Sequence, residues 1–264
     1  MPEAVQRRGG RAYAAFVGIG LMAGLLSGMF GVGGGTVIVP LLVLLVGFDQ
    51  RRAAGTSLAA IVPTATIGVI SYAVLGDVAW LPAAILAVGA IVGAQIGTRL
   101  LPRVSQRVLR WGFVAFLVVV VVSLFLVVPS REAVLEIGWA SGLALAALGV
   151  GTGVVSGLIG VGGGIVVVPF LMLVFGASDL VAKGTSLLMM IPAALSGTFG
   201  NLRTGNVELL PAVVIGAAAC TTTALGAWLA TLVEPAVGNA LFAVFLVFIA
   251  TQMASKAWKD RPRS

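Results

Sequence analysis

The strongest constraint on this chain is an internal duplication with an offset of 129 residues. Residues 24–83 and 153–212 align without a gap, and 27 of these 60 positions are identical. The identities include glycines, prolines, serines and threonines, which apolar composition alone would not match at fixed positions. The sequence therefore predicts a fold in which one structural unit is used twice.

Composition places that unit in a lipid bilayer. Of the 264 residues, 59% are hydrophobic and only 9% are charged, whereas soluble domains carry roughly 25% charged residues. The mean hydropathy is +1.14. A soluble fold of this size would need more polar residues to cover its core. We therefore predict an all-α polytopic membrane protein.

Several residue types that carry enzyme chemistry are scarce. The chain has no histidine, which excludes imidazole metal sites and histidine-based acid–base catalysis. Its single cysteine, Cys220, cannot form an internal disulfide or a thiolate metal cluster. We predict no catalytic residue, no metal site and no cofactor. The net charge of +7 does not indicate nucleic-acid binding, because no basic run is interleaved with aromatic residues.

Each half contains five apolar segments, of which the second is short. A spanning helix needs about 20 residues, but segments 36–48 and 165–177 have 13 each and follow a run of glycines. Each repeat is thus predicted to hold a Gly-broken helical hairpin, either re-entrant or fully spanning, and three spanning helices. The predicted organisation is a cytoplasmic N-terminal segment at 1–11, membrane repeats at 12–128 and 138–256, an external linker at 129–137 and a cytoplasmic tail at 257–264.

The basic residues predict how these segments are oriented. An odd number of crossings in the first repeat makes the second repeat enter from the opposite side, which gives inverted-topology repeats. With a cytoplasmic N-terminus, 14 of the 16 Lys and Arg residues fall inside, and only Arg131 and Lys183 fall outside. Because Lys and Arg concentrate in cytoplasmic loops, both termini are predicted to be cytoplasmic.

The glycine-rich runs are the leading candidates for chemistry. SGMFGVGGG at 27–35 recurs as SGLIGVGGG at 156–164. Neither run is a nucleotide-binding loop, because no lysine follows and no strand precedes it. In lipid, a helix break survives only where protein or a wet cavity surrounds it. A helix that restarts near Thr36 or Ile165 would present its N–H groups and positive dipole end to an anion.

Glycine also has a purely structural use, because it lets helices pack closely. For scattered glycines such as Gly18, Gly20, Gly89 and Gly93, close packing is the preferred interpretation. For the duplicated runs, we prefer the interpretation as a binding site.

Hydroxyl side chains accompany each run. Gly-Thr-Ser triplets at 55–57 and 184–186 stand at the start of the third segment of each half. They are either helix N-caps or a polar lining for a permeation path. Ser27 and Ser156 could donate to an oxyanion or bond back to their own helix. The predicted substrate-binding residues are Ser27, Gly33, Gly34, Gly35, Thr56, Ser57, Ser156, Gly162, Gly163, Gly164, Thr185 and Ser186.

Charged side chains are expected only near the ends of the membrane segments. Asp179 is placed at a loop edge, and Lys183 just before the eighth segment, which begins at residue 184. No buried acid is expected, which argues against a carboxylate proton relay.

The duplicated pattern resembles the TauE/SafE family, also called the sulfite exporter or four-toluene-sulfonate-uptake family. The resemblance covers about residues 13–256. It rests on the two Gly-Thr-Ser triplets and on the motif GxxGxGGGxxxxP, which runs from Gly28 to Pro40 and again from Gly157 to Pro169. The resemblance implies a multi-pass protein of the bacterial inner membrane that moves sulfite, sulfonates or related sulfur-containing or organic anions.

We therefore predict a secondary transporter of small anions that works by alternating access. With no nucleotide-binding segment, its energy is expected from a proton gradient or another ion gradient. The predicted partners are the anionic substrate, a coupling ion and the lipid bilayer, without nucleic acid, and the sequence is compatible with a homo-oligomer. An anion channel is the alternative, and an intramembrane enzyme or a structural membrane subunit is less favoured.

Overall fold

A computed structural model describes residues 9–126 and 139–259, and every regular element in these two ranges is helical. The first half contains α1 (Gly9–Phe30), α2 (Gly35–Leu41), α3 (Gln50–Val74), α4 (Trp80–Leu100) and α5 (Gln106–Leu126). The second half contains α6 (Trp139–Ile159), α7 (Gly164–Phe175), α8 (Asp179–Arg203), α9 (Leu209–Leu232) and α10 (Pro235–Lys259). A π-helical turn, Leu42–Val46, extends α2. The predicted all-α fold is confirmed.

Seven of the described helices are long and apolar enough to cross a membrane, namely α1, α3, α4, α6, α8, α9 and α10. The polytopic membrane class is thereby confirmed. The short helices Gly35–Val46 and Gly164–Phe175 would each extend only about 18 Å at about 1.5 Å per residue. Because the hydrocarbon core is about 30 Å thick, neither short helix can cross it alone.

The tryptophans lie near helix ends, where the boundaries between membrane and water are expected. Indole rings concentrate at the two boundaries between membrane and water. Each tryptophan of the chain lies within two turns of a helix end and has an exposed side chain. These residues are Trp80, Trp111, Trp139, Trp228 and Trp258.

The duplication extends to the shape of the backbone. Among the described residues, ten glycines have a positive φ, a conformation that other residues rarely adopt. They form five pairs whose members are 129 residues apart. The pairs are Gly31 with Gly160, Gly33 with Gly162, Gly34 with Gly163, Gly47 with Gly176, and Gly76 with Gly205.

The two halves interlock rather than pack side by side. The most extensive helix contacts join α1 to α9 and α4 to α6, so each involves one helix from each half. In the interior α3 contacts α8, while α9 packs on α3 and α4 packs on α8. Every one of these contacts has its counterpart when the halves are exchanged.

Small residues allow this close approach. A Cβ atom built on Gly93 of α4 would lie 2.8 Å from the backbone nitrogen of Val154 in α6. Gly20 and Gly89 are equally close to backbone atoms of α9 and α6. The packing interpretation is confirmed for these three glycines. It is wrong for Gly18, which has no such neighbour within 4 Å.

Polar contacts gather three helix junctions at one end of the molecule. Arg52, near the start of α3, pairs with Glu208 at the start of α9 at 3.4 Å. The neighbouring Arg51 donates through Nη2 to the carbonyl of Val104, between α4 and α5, at 2.6 Å. The charge pattern predicts the same three junctions to share one face of the membrane.

Part of the predicted organisation lies outside the described residues. This applies to the whole linker at 129–137, to residues 1–8 of the N-terminal segment and to residues 260–264 of the tail.

Candidate functional site

Two glycine loops interrupt the helices at corresponding positions. Residues 31–34 separate α1 from α2, and residues 160–163 separate α6 from α7. Three glycines in each loop are left-handed, with φ values from 69° to 86°. The predicted helix breaks are therefore present, and α2 and α7 restart at Gly35 and Gly164.

The last glycine of each loop is the N-cap of the helix that follows. Gly34 and Gly163 have φ values of 78° and 86° and provide no side-chain hydrogen bond to the cap. A side chain would be strained in this conformation. The first N–H groups of α2 and α7 therefore receive no acceptor from a capping side chain, which leaves the positive end of each helix uncovered by its cap.

The structure brings the two loops into contact. A Cβ atom on Gly35 would lie 2.7 Å from Cα of Val161 and 2.8 Å from the carbonyl oxygen of Gly160. A Cβ atom on Gly164 would lie 2.8 Å from the carbonyl oxygen of Gly31. Each short helix therefore begins against the loop of the other half.

Two apolar side chains fill the space between the loops. Cβ atoms on Gly33 and Gly162 would both clash with the same atom, Cε of Met190, and would lie 3.2 and 3.6 Å from Cγ2 of Ile61. Ile61 and Met190 are fully buried and correspond at the 129-residue offset. The centre of the molecule is thus closed by one side chain from each half.

Sequence reasoning missed Ile61 and Met190. An apolar residue within an apolar helix gives no local signal, and the two positions are not identical in the duplication. Each of the two residues lies one helical turn after a Gly-Thr-Ser triplet on the same helix. This common spacing is the only indication that the sequence offers.

Two buried serines tie the halves together at the loops. Oγ of Ser57 donates to the carbonyl of Gly160 at 2.8 Å, and Oγ of Ser186 donates to the carbonyl of Gly31 at 3.1 Å. Each bond therefore runs from the long helix of one half to the glycine loop of the other.

The neighbouring threonines make a second matched pair of contacts. The backbone N–H of Glu208 donates to Oγ1 of Thr56, and that of Ala79 donates to Oγ1 of Thr185, both at 3.0 Å. These hydroxyls hold the junctions before α9 and α4. Each of the four triplet hydroxyls thus contacts the other half.

None of these four residues caps a helix. The N-caps of α3 and α8 are Asp49 and Ser178, whose side chains accept from backbone N–H groups in the first turn. The N-cap interpretation of Thr56 and Thr185 is wrong, because both helices begin more than one turn earlier than the sequence pattern suggested.

Three hydroxyls beside the loops have no hydrogen-bond partner among the described residues. They belong to Ser27, Ser156 and Thr36, and all three residues are fully buried. The alternative in which Ser27 and Ser156 bond back to their own helices is not observed. An unpaired buried polar group costs about 1–3 kcal/mol, so a ligand that supplied the missing partner would be favoured at these hydroxyls.

A buried ion pair lies beside the first loop. Nζ of Lys183 is 2.8 Å from Oδ2 of Asp179, and the two side chains are 8% and 2% exposed. A Cβ atom on Gly31 would lie 2.6 Å from Cα of Lys183 and 2.9 Å from its Cγ. The lysine stem therefore packs directly on the loop.

This ion pair corrects two sequence expectations. Asp179 lies at a loop edge as expected, but Lys183 does not precede the helix, because α8 begins at Asp179. The expected absence of a buried acid is also wrong, because Asp179 is buried. The spacing of four residues between the two charges, typical of neighbours on a helix face, is the signal that could have revealed them.

Tyr72 and Asn201 occupy corresponding positions but differ in their contacts. The Tyr72 hydroxyl donates to the carbonyl of Gly28 at 2.7 Å, which joins α3 to the end of α1. Asn201 instead donates to Gly197 within its own helix at 3.0 Å. The helix α8 is continuous through Asn201 and ends at Arg203.

No group of His, Cys, Asp and Glu residues suited to a metal ion occurs in the described ranges. The donors around the loops are backbone N–H groups, hydroxyls and one ammonium group, while the carbonyls of Gly31 and Gly160 and the carboxylate of Asp179 already accept from Ser186, Ser57 and Lys183. This donor set favours an anion over a cation.

An all-helical, multi-pass fold with two broken helices meeting in its interior is typical of secondary transporters. The family model described as sulfite exporter TauE/SafE matches residues 2–124 and 145–264. The chain therefore belongs to the TauE/SafE sulfite exporter family, whose members are membrane transporters and not enzymes.

Relatives in several kingdoms share parts of the sequence. A protein of Haemophilus influenzae named "Probable membrane transporter protein" is 28% identical, over 90% of this chain and 96% of the relative. The similarly named YunE of Bacillus subtilis is 39% identical, over 33% of this chain and 32% of its own length. Sulfite exporter TauE/SafE family protein 2 of Arabidopsis thaliana is 32% identical, over 44% of this chain and 25% of its own length.

YunE and the Arabidopsis protein are thus matched over a third of their length or less. No solved structure matches the chain significantly.

Proposed function

We propose that this protein is a secondary transporter that moves small anions across the bacterial plasma membrane by alternating access. The proposed cargo is sulfite, a sulfonate or a related sulfur-containing or organic anion. The name of the family supports the sulfur oxyanion class. The observation that carries the proposal is the meeting of two helix N-termini beside unpartnered buried hydroxyls.

The substrate is proposed to bind between the two glycine loops. Backbone N–H groups of Gly33, Gly34 and Gly35, and of Gly162, Gly163 and Gly164, would donate hydrogen bonds to its oxygens. Inverted-repeat transporters direct half-helix N-termini at anionic groups near the membrane midplane. Such a site attracts an anion through oriented dipoles.

The hydroxyls divide into two groups by their contacts. Ser27 and Ser156 have no partner among the described residues, and we assign them to the substrate. Ser57 and Ser186 already donate their protons to loop carbonyls. We therefore assign them, with Thr56 and Thr185, to holding the loops in the state described here.

We further propose that the repeats at 12–128 and 138–256 have inverted topology, with both termini in the cytoplasm. The exchange symmetry of the helix contacts supports a two-fold relation between the halves. The contacts of Arg51 with Val104 and of Arg52 with Glu208 place three helix junctions at the same end of the molecule. This supports the proposal that these junctions lie on one face of the membrane. Ile61 and Met190 would occlude the site in this state, and loop separation would open it to one side at a time.

An ion gradient, of protons or another ion, is the proposed energy source. The main rival is an anion channel, which would show neither saturation nor counterflow. Trans-stimulation of sulfite uptake in proteoliposomes separates the two, because only a carrier exchanges internal for external anion. We expect saturable, trans-stimulated flux, and unsaturable flux without exchange would contradict the carrier.

The site itself is tested by Gly163→Ala with Gly205→Ala as a matched control. Both glycines are left-handed, at 86° and 69°, so both variants carry backbone strain. Only Gly163 caps a helix at the proposed site. A Cβ atom on Gly205 would have no neighbouring atom within 4 Å outside its own chain segment. Flux should fall about tenfold or more in Gly163→Ala and persist in Gly205→Ala. Equal flux in both variants would refute the site.

A further inference from the structure

At the two positions that correspond to the buried ion pair of α8, the other half carries no charge. At the 129-residue offset, Asp179 corresponds to Gln50 and Lys183 corresponds to Ala54. All four residues are buried. The same two positions of the fold are therefore occupied by a charged pair in the second half and by a neutral pair in the first half.

The other half folds with neutral residues at these two positions, although a partly exposed ion pair, Asp49–Arg52, lies at the start of α3. Removing two charges from water is costly, and buried ion pairs often stabilise no better than neutral replacements. Within a membrane, ionisable residues typically serve ion or substrate pathways. A charged pair beside one loop, where the other half manages with Gln and Ala, therefore indicates a functional role.

The position of Lys183 relates this role to the glycine loops. Its stem packs on Gly31, and Gly31 accepts the hydrogen bond of Ser186 from the same face of α8. On the other side of the centre, Ala54 packs in the same way on Gly160. The stem of the lysine thus lies at the edge of the proposed site, on one side only, and its ammonium group is held by Asp179.

We propose that Lys183 is the residue that selects for negative charge in the substrate, and that Asp179 holds its ammonium group until the anion takes over that contact. This inference rests on the proposed anion site between the loops. The carboxylate of Asp179 is itself an oxyanion at 2.8 Å from the ammonium. It therefore occupies the kind of contact that a sulfonate or sulfite oxygen would make.

The chain supplies its own design for the test. The double variant Asp179→Gln with Lys183→Ala copies the Gln50 and Ala54 arrangement, which this fold already accommodates. The control is Arg52→Gln with Glu208→Gln, which removes an ion pair from the end of the molecule. The probes are methanesulfonate and its uncharged isostere methanesulfonamide, titrated against the purified full-length chain in nanodiscs.

We expect the double variant to bind methanesulfonate about tenfold more weakly, with its affinity for methanesulfonamide unchanged. The control variant should match the wild type with both probes. A purely structural ion pair would leave the ratio of the two affinities unchanged, and that result would overturn the role of Lys183. If wild-type protein binds neither methanesulfonate nor sulfite, the proposed anion site itself fails.

A second variant keeps the lysine and removes its neutralising partner. Asp179→Asn should bind methanesulfonate several-fold more tightly, because the carboxylate of Asp179 no longer competes with the anion for the ammonium. Weaker or unchanged binding in this variant would contradict the proposed exchange of partners, whatever the double variant does.

Discussion

Ser57 on α3 donates a hydrogen bond to the carbonyl of Gly160, 2.8 Å away in the glycine loop of the other half. The loop contains three left-handed glycines, whose backbones have more conformational freedom than those of other residues. A hydrogen bond from a rigid helix therefore removes freedom where it is greatest. Ser186 and Gly31 repeat the arrangement, so each half holds the other's loop in place.

Removing this bond should weaken both the fold and transport. In Ser57→Ala the buried carbonyl of Gly160 loses its side-chain partner, which should cost about 1–3 kcal/mol. We expect a lower Tm and slower sulfite flux in proteoliposomes. Thr66→Ala is the control, because that hydroxyl only bonds the carbonyl of Val62 in its own exposed turn. Equal Tm values for the two variants would contradict the role of Ser57.

The unpartnered serines should behave in the opposite way. Ser27→Ala and Ser156→Ala remove buried hydroxyls that have no described partner, so the free energy of unfolding should stay the same or rise by about 1 kcal/mol. Anion binding should weaken in both, since the proposed donor is lost. Thermal unfolding without ligand and calorimetric titration with methanesulfonate measure the two effects separately. Lower stability with unchanged binding would indicate a structural role.

Met190 should control the size of the anion that is transported. Its Cε lies between Gly33 and Gly162, so Met190→Ala opens space where the loops meet. The cavity should cost about 2–5 kcal/mol of stability and raise the flux of 4-toluenesulfonate relative to sulfite. Met190→Leu, which nearly conserves volume, should keep the wild-type ratio. An unchanged ratio in Met190→Ala would place the cargo elsewhere.

The seam between α4 and α6 should not tolerate side chains. A Cβ at Gly93 would clash with the carbonyl oxygen of Val150, so Gly93→Val must push the helices apart. We expect a strong loss of monodisperse protein in size-exclusion chromatography. Gly142→Val, on α6 but with no such neighbour within 4 Å, should purify normally. Normal behaviour of Gly93→Val would contradict the described packing of the two halves.

The helix breaks could be predicted from the sequence, because a run of glycines interrupts a helix. Runs at 31–35 and 160–164 break helices wherever they occur in an apolar chain, and their duplication predicts a second loop from the first. The first residues of α3 and α8 could not be predicted in the same way. Asp49 and Ser178 cap α3 and α8, but they lie where the two halves diverge, so the matching Gly-Thr-Ser triplets looked like the boundary.

Contacts between residues that are far apart in the sequence could not be predicted from local patterns. Ile61 and Met190 are apolar residues among many, and only the fold places both against Gly33 and Gly162. Asp179 and Lys183 looked like loop residues because charges are expected outside the membrane. Burial of the pair depends on α8 beginning five residues before the predicted segment, which local composition does not reveal.

The interlocking of α1 with α9 and of α4 with α6 has a consequence for the origin of the chain. Neither half contains a complete site, because the serine of each half bonds the loop of the other, and Ile61 and Met190 each lie against both loops. A half-length ancestor could have built this site only as a homodimer. The hydrogen bond from Ser57 to Gly160 would then have been an intersubunit contact, and gene fusion would have turned a dimer interface into the interior of one polypeptide. Once joined, the two copies were free to differ, and a lysine could appear on one side alone.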